Sequence, residues 1–138
     1  WAEREAGRGA EEDAYRFQIE TLTGKLAGTI NTHTCSLRNC TFSYGLAVLP
    51  DYQRKGYATE AIGLVLRYYF GERRYQKVNA DVYSFNKPSI TLHERLGFML
   101  EGRLQRMVYT GGEYHDRLIF GMTAEAFAAA AWNPNSHI

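Results

Sequence analysis

The run Leu46-Ala47-Val48-Leu49-Pro50-Asp51-Tyr52-Gln53-Arg54-Lys55-Gly56-Tyr57-Ala58 leads straight into an amphipathic stretch over 59–70, so strand, basic glycine loop and helix start follow one another. A helix leaves its first four N–H groups unpaired and carries partial positive charge at that end, which makes it a site for an anion. Gly56 and the small Ala58 let the backbone close on phosphate oxygens. Arg54 and Lys55 add two cations suited to a pyrophosphate and a further phosphate; their other reading is an ordinary solvated turn. A Walker A loop would need Gly-Lys-Ser/Thr after four spacers, and a dinucleotide fingerprint would need three glycines. This loop has neither, and a phosphorylated cofactor is the expected ligand.

The chain has 138 residues, 45% of them hydrophobic and 22% charged, enough for one sizeable core and too few for two. Sixteen basic against fifteen acidic residues give a net charge of +1, too balanced for a protein that wraps nucleic acid. There is no run of about 18 apolar residues and no charged-then-apolar leader, so the expectation is a soluble cytoplasmic protein with no membrane partner. Cys35 and Cys40 lack the further ligands a structural zinc site needs, so no metal is expected. They read as reduced thiols near a turn, with a local disulfide as the lesser alternative.

Alternation over Tyr15, Phe17 and Ile19, then over Leu26, Gly28 and Ile30, predicts a hairpin with one buried face. The polar stretch 31–39 reads as a connection and 41–49 as the next strand, with Gly45 a candidate bulge. From Thr59, the apolar positions Ile62, Val65, Leu66, Tyr69 and Phe70 fall at helical spacing, and Gly71 supplies a stop. Arg73 and Arg74 then complement the helix C-terminus. A strand over 78–83 precedes a short helix with Pro88 in its first turn and Gly97 at its end. Two final strands, 98–108 and 114–122, flank Thr110-Gly111-Gly112. The alanine-rich tail from Ala124 reads as a brief helix.

The pattern Gln53-x-x-Gly56-x-Ala58 resembles the acetyl-CoA loop of the GNAT superfamily of N-acetyltransferases. A second segment, running from Val82 through Asn86-Lys87-Pro88-Ser89 and His93 to Leu96-Gly97-Phe98, is similar to that family's second signature. There a strand ends at an Asn that contacts the pantetheine arm, and the following helix finishes in Leu-Gly-Phe. The aromatic helix end Tyr68-Tyr69-Phe70 is also common in the family. Glu101-Gly102, the segment from Tyr109-Thr110-Gly111-Gly112 to Asp116, and Gly121-Met122-Thr123 resemble the branch that holds the ribosomal-protein and diamine N-acetyltransferases.

The resemblance implies an α/β (α+β) GNAT fold: a mixed, mostly antiparallel twisted sheet, splayed at the cofactor site and flanked by helices. It implies a single domain over 1–138 in which the family's opening strand and two helices are missing, so that the polar start is read as the end of the second helix. It also implies acetyl-CoA as acyl donor, held by Leu46, Ala47 and Val48, by Gln53, Arg54, Lys55, Gly56, Tyr57, Ala58 and Thr59 of the loop, and by Asn86 and Ser89. The acceptor is a small-molecule or peptide amine attacking directly in a ternary complex, with homodimer formation left open.

Two departures from the family pattern bear on the chemistry. Many members place a Glu on the strand before the loop as a base, but Phe42-Ser43-Tyr44-Gly45 offers no carboxylate. Many also carry a Tyr four positions before the Gly of the Gly-Phe pair as proton donor to the departing thiolate, where this chain has His93. A histidine titrates near neutral pH and can do that work, so His93 and Tyr44 are the candidate catalytic residues. Their other readings are a packed helix residue and a pocket-wall aromatic. The missing carboxylate gives weight to an alternative function, a non-catalytic acyl-CoA-binding sensor or interaction module. A nucleic-acid-binding module stands a distant third.

Overall fold

A computed structural model describes the backbone of residues 2–4 and residues 13–130 in full. The strands are β1 (Ala2–Arg4), β2 (Tyr15–Glu20), β3 (Leu26–Ser36), β4 (Thr41–Val48), β5 (Lys77–Tyr83), β6 (Met99–Thr110) and β7 (Glu113–Thr123). The helices are α1 (Tyr57–Arg67), α2 (Lys87–Arg95) and α3 (Ala124–Ala129). The strands form one sheet in the order β1-β2-β3-β4-β5-β7-β6. Every pairing is antiparallel except that of β4 with β5. This is the mixed, mostly antiparallel sheet expected from the sequence, with one further strand at its edge.

Period-two alternation decides which face is covered. Phe17, Ile30, Thr32, Phe42, Tyr44, Val78, Ala80, Val82, Leu118, Phe120 and Met122 are all buried, whereas Ser43, Gly45, Asn79, Asp81 and Ile119 between them are not. Helix α1 buries Ala61, Ile62, Val65 and Leu66 against that covered face. Helix α2 joins the same face through His93, whose ring lies 5.9 Å from Tyr44 and 5.8 Å from Phe120. Beyond α1 a π-helical turn, Tyr68–Glu72, closes with Arg73 N–H donating to the Tyr68 carbonyl. It brings Tyr69 flat onto Phe42, with ring centroids 4.3 Å apart.

Several local expectations change. Residues 31–36 continue β3 rather than forming a connection, because Thr32 and Cys35 turn inward to the core and outweigh the polarity of the stretch. Gly45 is no bulge: pairing runs without a break from Gly28↔Val48 to His33↔Ser43, and the register shift falls between His33 and Ser36. Helix α1 starts at Tyr57, two residues early, because Gly56 adopts φ 85° and turns the chain directly into the helix. Gly71 lies inside the π-helical turn and does not stop the helix before it. The expected helix end at the start of the chain is replaced at 2–4 by a strand paired to β2, while 5–12 lie outside the described residues.

Candidate active site

The site is organised by one parallel strand pair. β4 and β5 are paired from Thr41↔Lys77 to Tyr44↔Ala80 and no further. Beyond that point β4 stays with β3 as far as Gly28↔Val48, and β5 stays with β7 as far as Tyr83↔Arg117. The two strands therefore part, and the edge of β4 that faces β5 has no strand partner over 45–48. A backbone without its ladder offers N–H and C=O groups to whatever enters the gap. A cleft of about 220 Å³ opens there, lined by Tyr44, Gly45 and Leu46 on one side, Ala80 to Tyr83 on the other, and Asn86, Ser89 and His93 beneath.

At the far end of β4 the chain passes through a short 3-10 turn, Pro50–Tyr52, into the glycine loop. Gln53 Nε2 donates to the Val48 carbonyl at 3.0 Å, so this side chain ties the loop to the strand end. Arg54 (φ 63°) and Gly56 (φ 85°) both take left-handed backbone. The first bond of α1 runs from Glu60 N–H to the Gly56 carbonyl at 3.0 Å, which leaves the amides of Tyr57, Ala58 and Thr59 without partners in the helix. These amides are groups suited to phosphate oxygens. Arg54 and Lys55 are exposed beside them.

Asn86 caps α2, its Oδ1 accepting from Ser89 N–H at 3.2 Å, and it also lines the cleft. Ser89 turns its carbonyl to His93 Nδ1 at 2.8 Å. His93 Nε2 lies 2.8 Å from Tyr44 Oη, and each residue is only 3% exposed, so bulk water reaches neither ring freely. Burial lowers the His93 pKa from its ordinary value, against the opposing pull of the Ser89 carbonyl. Burial also raises the Tyr44 pKa well above that of an exposed tyrosine. Thus the two candidate catalytic residues, 49 positions apart in sequence, form one hydrogen-bonded pair.

A family model described as an acetyltransferase (GNAT) domain matches residues 1–99. The chain belongs to the GNAT acetyltransferases. It is 50% identical over 117 residues, 85% of its length, to an SPbeta prophage-derived N-acetyltransferase, YokL, of Bacillus subtilis, and spans 66% of that relative. It is 27% identical over 108 residues to the spermidine N(1)-acetyltransferase of Escherichia coli, covering 78% of this chain and 58% of that one. Among solved structures, spermidine/spermine N-acetyltransferase SpeG from Vibrio cholerae has a TM-score of 0.81 at 22% identity, covering 91% of this chain and 72% of SpeG, a likeness of fold. The chain thus spans less than two thirds of the length of these curated relatives.

Within this GNAT site, sequence reading missed Asp81 and Tyr83 of the cleft wall, which only the parting of β5 from β4 exposes. It also missed a buried network around Asp13. The Asp13 carboxylate pairs with Arg73 and accepts from Tyr75 Oη at 2.6 Å, and its carbonyl accepts from Tyr69 Oη. Thr32 Oγ1 lies 2.6 Å from that Tyr69 oxygen. Arg73 therefore serves Asp13 rather than the helix terminus expected from the sequence. A larger cavity of about 540 Å³ lies between α1 and the β2–β3 hairpin, with Lys55 and Tyr57 at its edge, and shares no residue with the cleft. The smaller cleft is the one that brings reactive groups together.

Proposed function

We propose that this chain transfers an acetyl group from acetyl-CoA to a primary amine by direct attack in a ternary complex. The observation that carries this reading is the parting of β4 from β5 beyond Tyr44 and Ala80, in line with the unpartnered amides of Tyr57, Ala58 and Thr59. The residues present fit the donor. The amides and Arg54 with Lys55 suit its phosphates, and the free β4 edge at Leu46, Ala47 and Val48 suits an amide-bearing arm. When bound, acetyl-CoA supplies the thioester carbonyl that an amine attacks. The backbone of β4 can polarise that carbonyl as an N–H donor does in an oxyanion hole. Asn86 and Ser89 line the same cleft.

The reading of the acceptor as an amine is supported by the relatives, which are N-acetyltransferases, and the attacking nitrogen must be unprotonated to reach the thioester as a nucleophile. Among relatives, the names of the E. coli and V. cholerae enzymes specify spermidine, so a polyamine is the first acceptor to test. A peptide N-terminus follows, since a putative ribosomal N-acetyltransferase of B. subtilis is 27% identical over 99 residues. A cytoplasmic location accords with the supply of acetyl-CoA. A homodimer is proposed through β6, a 12-residue strand at the sheet edge on which Met99, Met107 and Tyr109 are exposed. Light scattering tests it.

Isothermal titration with acetyl-CoA and CoA tests the donor site, and both should bind. Turnover is then measured with spermidine, a peptide with a free N-terminus, an amino acid and an aminoglycoside. Acetylation of any one of these supports the enzyme. Binding without acetylation across the panel would favour the non-catalytic module instead, and absence of binding would end the reading.

A further inference from the structure

A backbone carbonyl can only accept a hydrogen bond, so the contact of His93 Nδ1 with the Ser89 oxygen at 2.8 Å places the ring proton on Nδ1. Nε2 is left with a lone pair, and the hydroxyl 2.8 Å from it must be the donor. Tyr44 has one proton, and this bond uses it. A ligand that reaches the Tyr44 oxygen from the cleft, which both residues line, would therefore meet lone pairs only, while His93 has no polar atom left for one. An ordinary general acid would present a proton to the cleft. This pair presents an acceptor backed by a second acceptor.

Resting on the acetyl-transfer reading above, we propose that Tyr44 takes a proton from the attacking amine and later returns one to the departing sulfur, with His93 behind it holding the proton in between. An acceptor ammonium first loses one proton to water. As the C–N bond forms, an N–H bond of the attacking nitrogen breaks toward Tyr44 Oη, and the tyrosine's own proton moves to His93 Nε2, so the tyrosine stays neutral and the imidazole becomes imidazolium. As the C–S bond breaks, Nε2 returns its proton to Oη and Oη passes one to sulfur. Both residues end as they began, and the proton count closes with one H⁺ released to water. Tyr44 is thus the catalytic residue, and His93 acts through it as a positioning residue and proton store.

The surroundings match this division. The His93 ring is held edge-on to Phe98 at 5.1 Å and stacked on Phe120 at 5.8 Å, which fixes its orientation toward Tyr44. Phe98 and Phe120 bring no titratable group, and on α2 the contacts of Nδ1 are the Ser89 carbonyl at 2.8 Å and, farther off at 3.4 Å, the Ser89 hydroxyl, which can accept from the same N–H. From β5, Asp81 and Tyr83 stand in the cleft wall, but Asp81 is engaged by Arg117 at 3.3 Å. The pair therefore fills the place left by the strand carboxylate that Phe42-Ser43-Tyr44-Gly45 lacks.

Two measurements on the full chain test the relay. Nitrogen-15 NMR of the labelled wild-type protein above neutral pH should show His93 protonated at Nδ1 and a hydrogen-bond acceptor at Nε2. A ring protonated at Nε2 instead would overturn the proposal without any variant. In steady-state kinetics with the amine that turns over best, Tyr44→Phe and His93→Gln should each lower kcat about 100-fold or more. KM for acetyl-CoA should stay within about threefold, and the double variant should be no slower than the slower single. His93→Gln should also erase the acidic limb of the kcat–pH profile. A Tyr44→Phe enzyme near wild-type turnover, or a His93→Gln enzyme that keeps that limb, would overturn the relay. Failure of the wild-type protein to bind acetyl-CoA by calorimetry would defeat the parent reading alone, since the NMR result does not depend on it.

Discussion

His93 couples the state of the cleft to the stability of the whole chain. Its folded-state pKa lies below the ordinary value of 6.5, so the unfolded chain binds more protons as pH falls through that value. The contribution is fully present above about pH 6.5 and is lost between there and the lower folded pKa. We expect the wild-type urea midpoint to fall across that window, and His93→Gln to flatten this part of the curve. Tyr69 is the matching test of the Asp13 network. Its hydroxyl serves the Asp13 carbonyl and Thr32 Oγ1 inside the core, so Tyr69→Phe should cost about 1–2 kcal/mol in urea unfolding while leaving the cleft residues in place.

At the level of elements, the β3–β4 ladder and the start of α1 carry the site. Gly28 faces Val48 where β4 ends, and a Cβ there would sit 2.2 Å from the Ala47 carbonyl oxygen. Backbone has to move to admit it. Gly28→Ala should therefore destabilise by about 1–3 kcal/mol, read as a lower urea midpoint at unchanged slope. Gly56 has a different reason for being glycine, since its φ of 85° turns the chain into α1 and sets the amides of Tyr57, Ala58 and Thr59. Replacing it by valine costs about 1–2 kcal/mol of backbone strain and should weaken CoA binding about tenfold or more in calorimetry. At the other end of the sheet, Gly111 (φ 61°) and Gly112 (φ 78°) form the two-residue turn that closes β6 and β7. Asp116 braces that hairpin by accepting from Arg106 N–H and pairing with Arg103.

On the scale of the molecule, the helices among the described residues lie on one face of the sheet, and Asn31, Ser43, Asn79 and Asp81 stand on the other. The oxygens Asn31 Oδ1 and Asn79 Oδ1 are buried there without a partner among the described residues. The parted strands are held by different neighbours, β4 by β3 and β5 by β7, so a ligand in the cleft bridges two halves of one sheet. Acetyl-CoA at about 100 times its Kd should then raise stability by about 2.7 kcal/mol, a melting shift of about 10 °C for a chain of this size. Differential scanning fluorimetry with and without acetyl-CoA reads it directly. A shift under a degree at saturation would show that the ligand does not favour the folded sheet.

The order of strands and helices from Tyr15 to Phe127 was legible in the sequence because period-two and helical spacing, Gly56, Gly97 and the Gly111-Gly112 turn are all local signals. Local signals misled where burial overrode polarity, as at Thr32 on β3, and where a left-handed glycine started a helix early, as at Gly56. Site residues could be nominated one at a time, since Tyr44, His93 and Asn86 are chemically apt. Only the packing of α2 against β4 made Tyr44 and His93 a pair and fixed which of them donates. Asp13 gave no signal at all, because its partners Tyr69, Arg73 and Tyr75 lie 56 or more positions away. A chain's own sequence determines periodicity, caps and turns through contacts a few residues apart; pairing across tens of residues is decided by the sheet, because only there do those side chains share one low-dielectric interior.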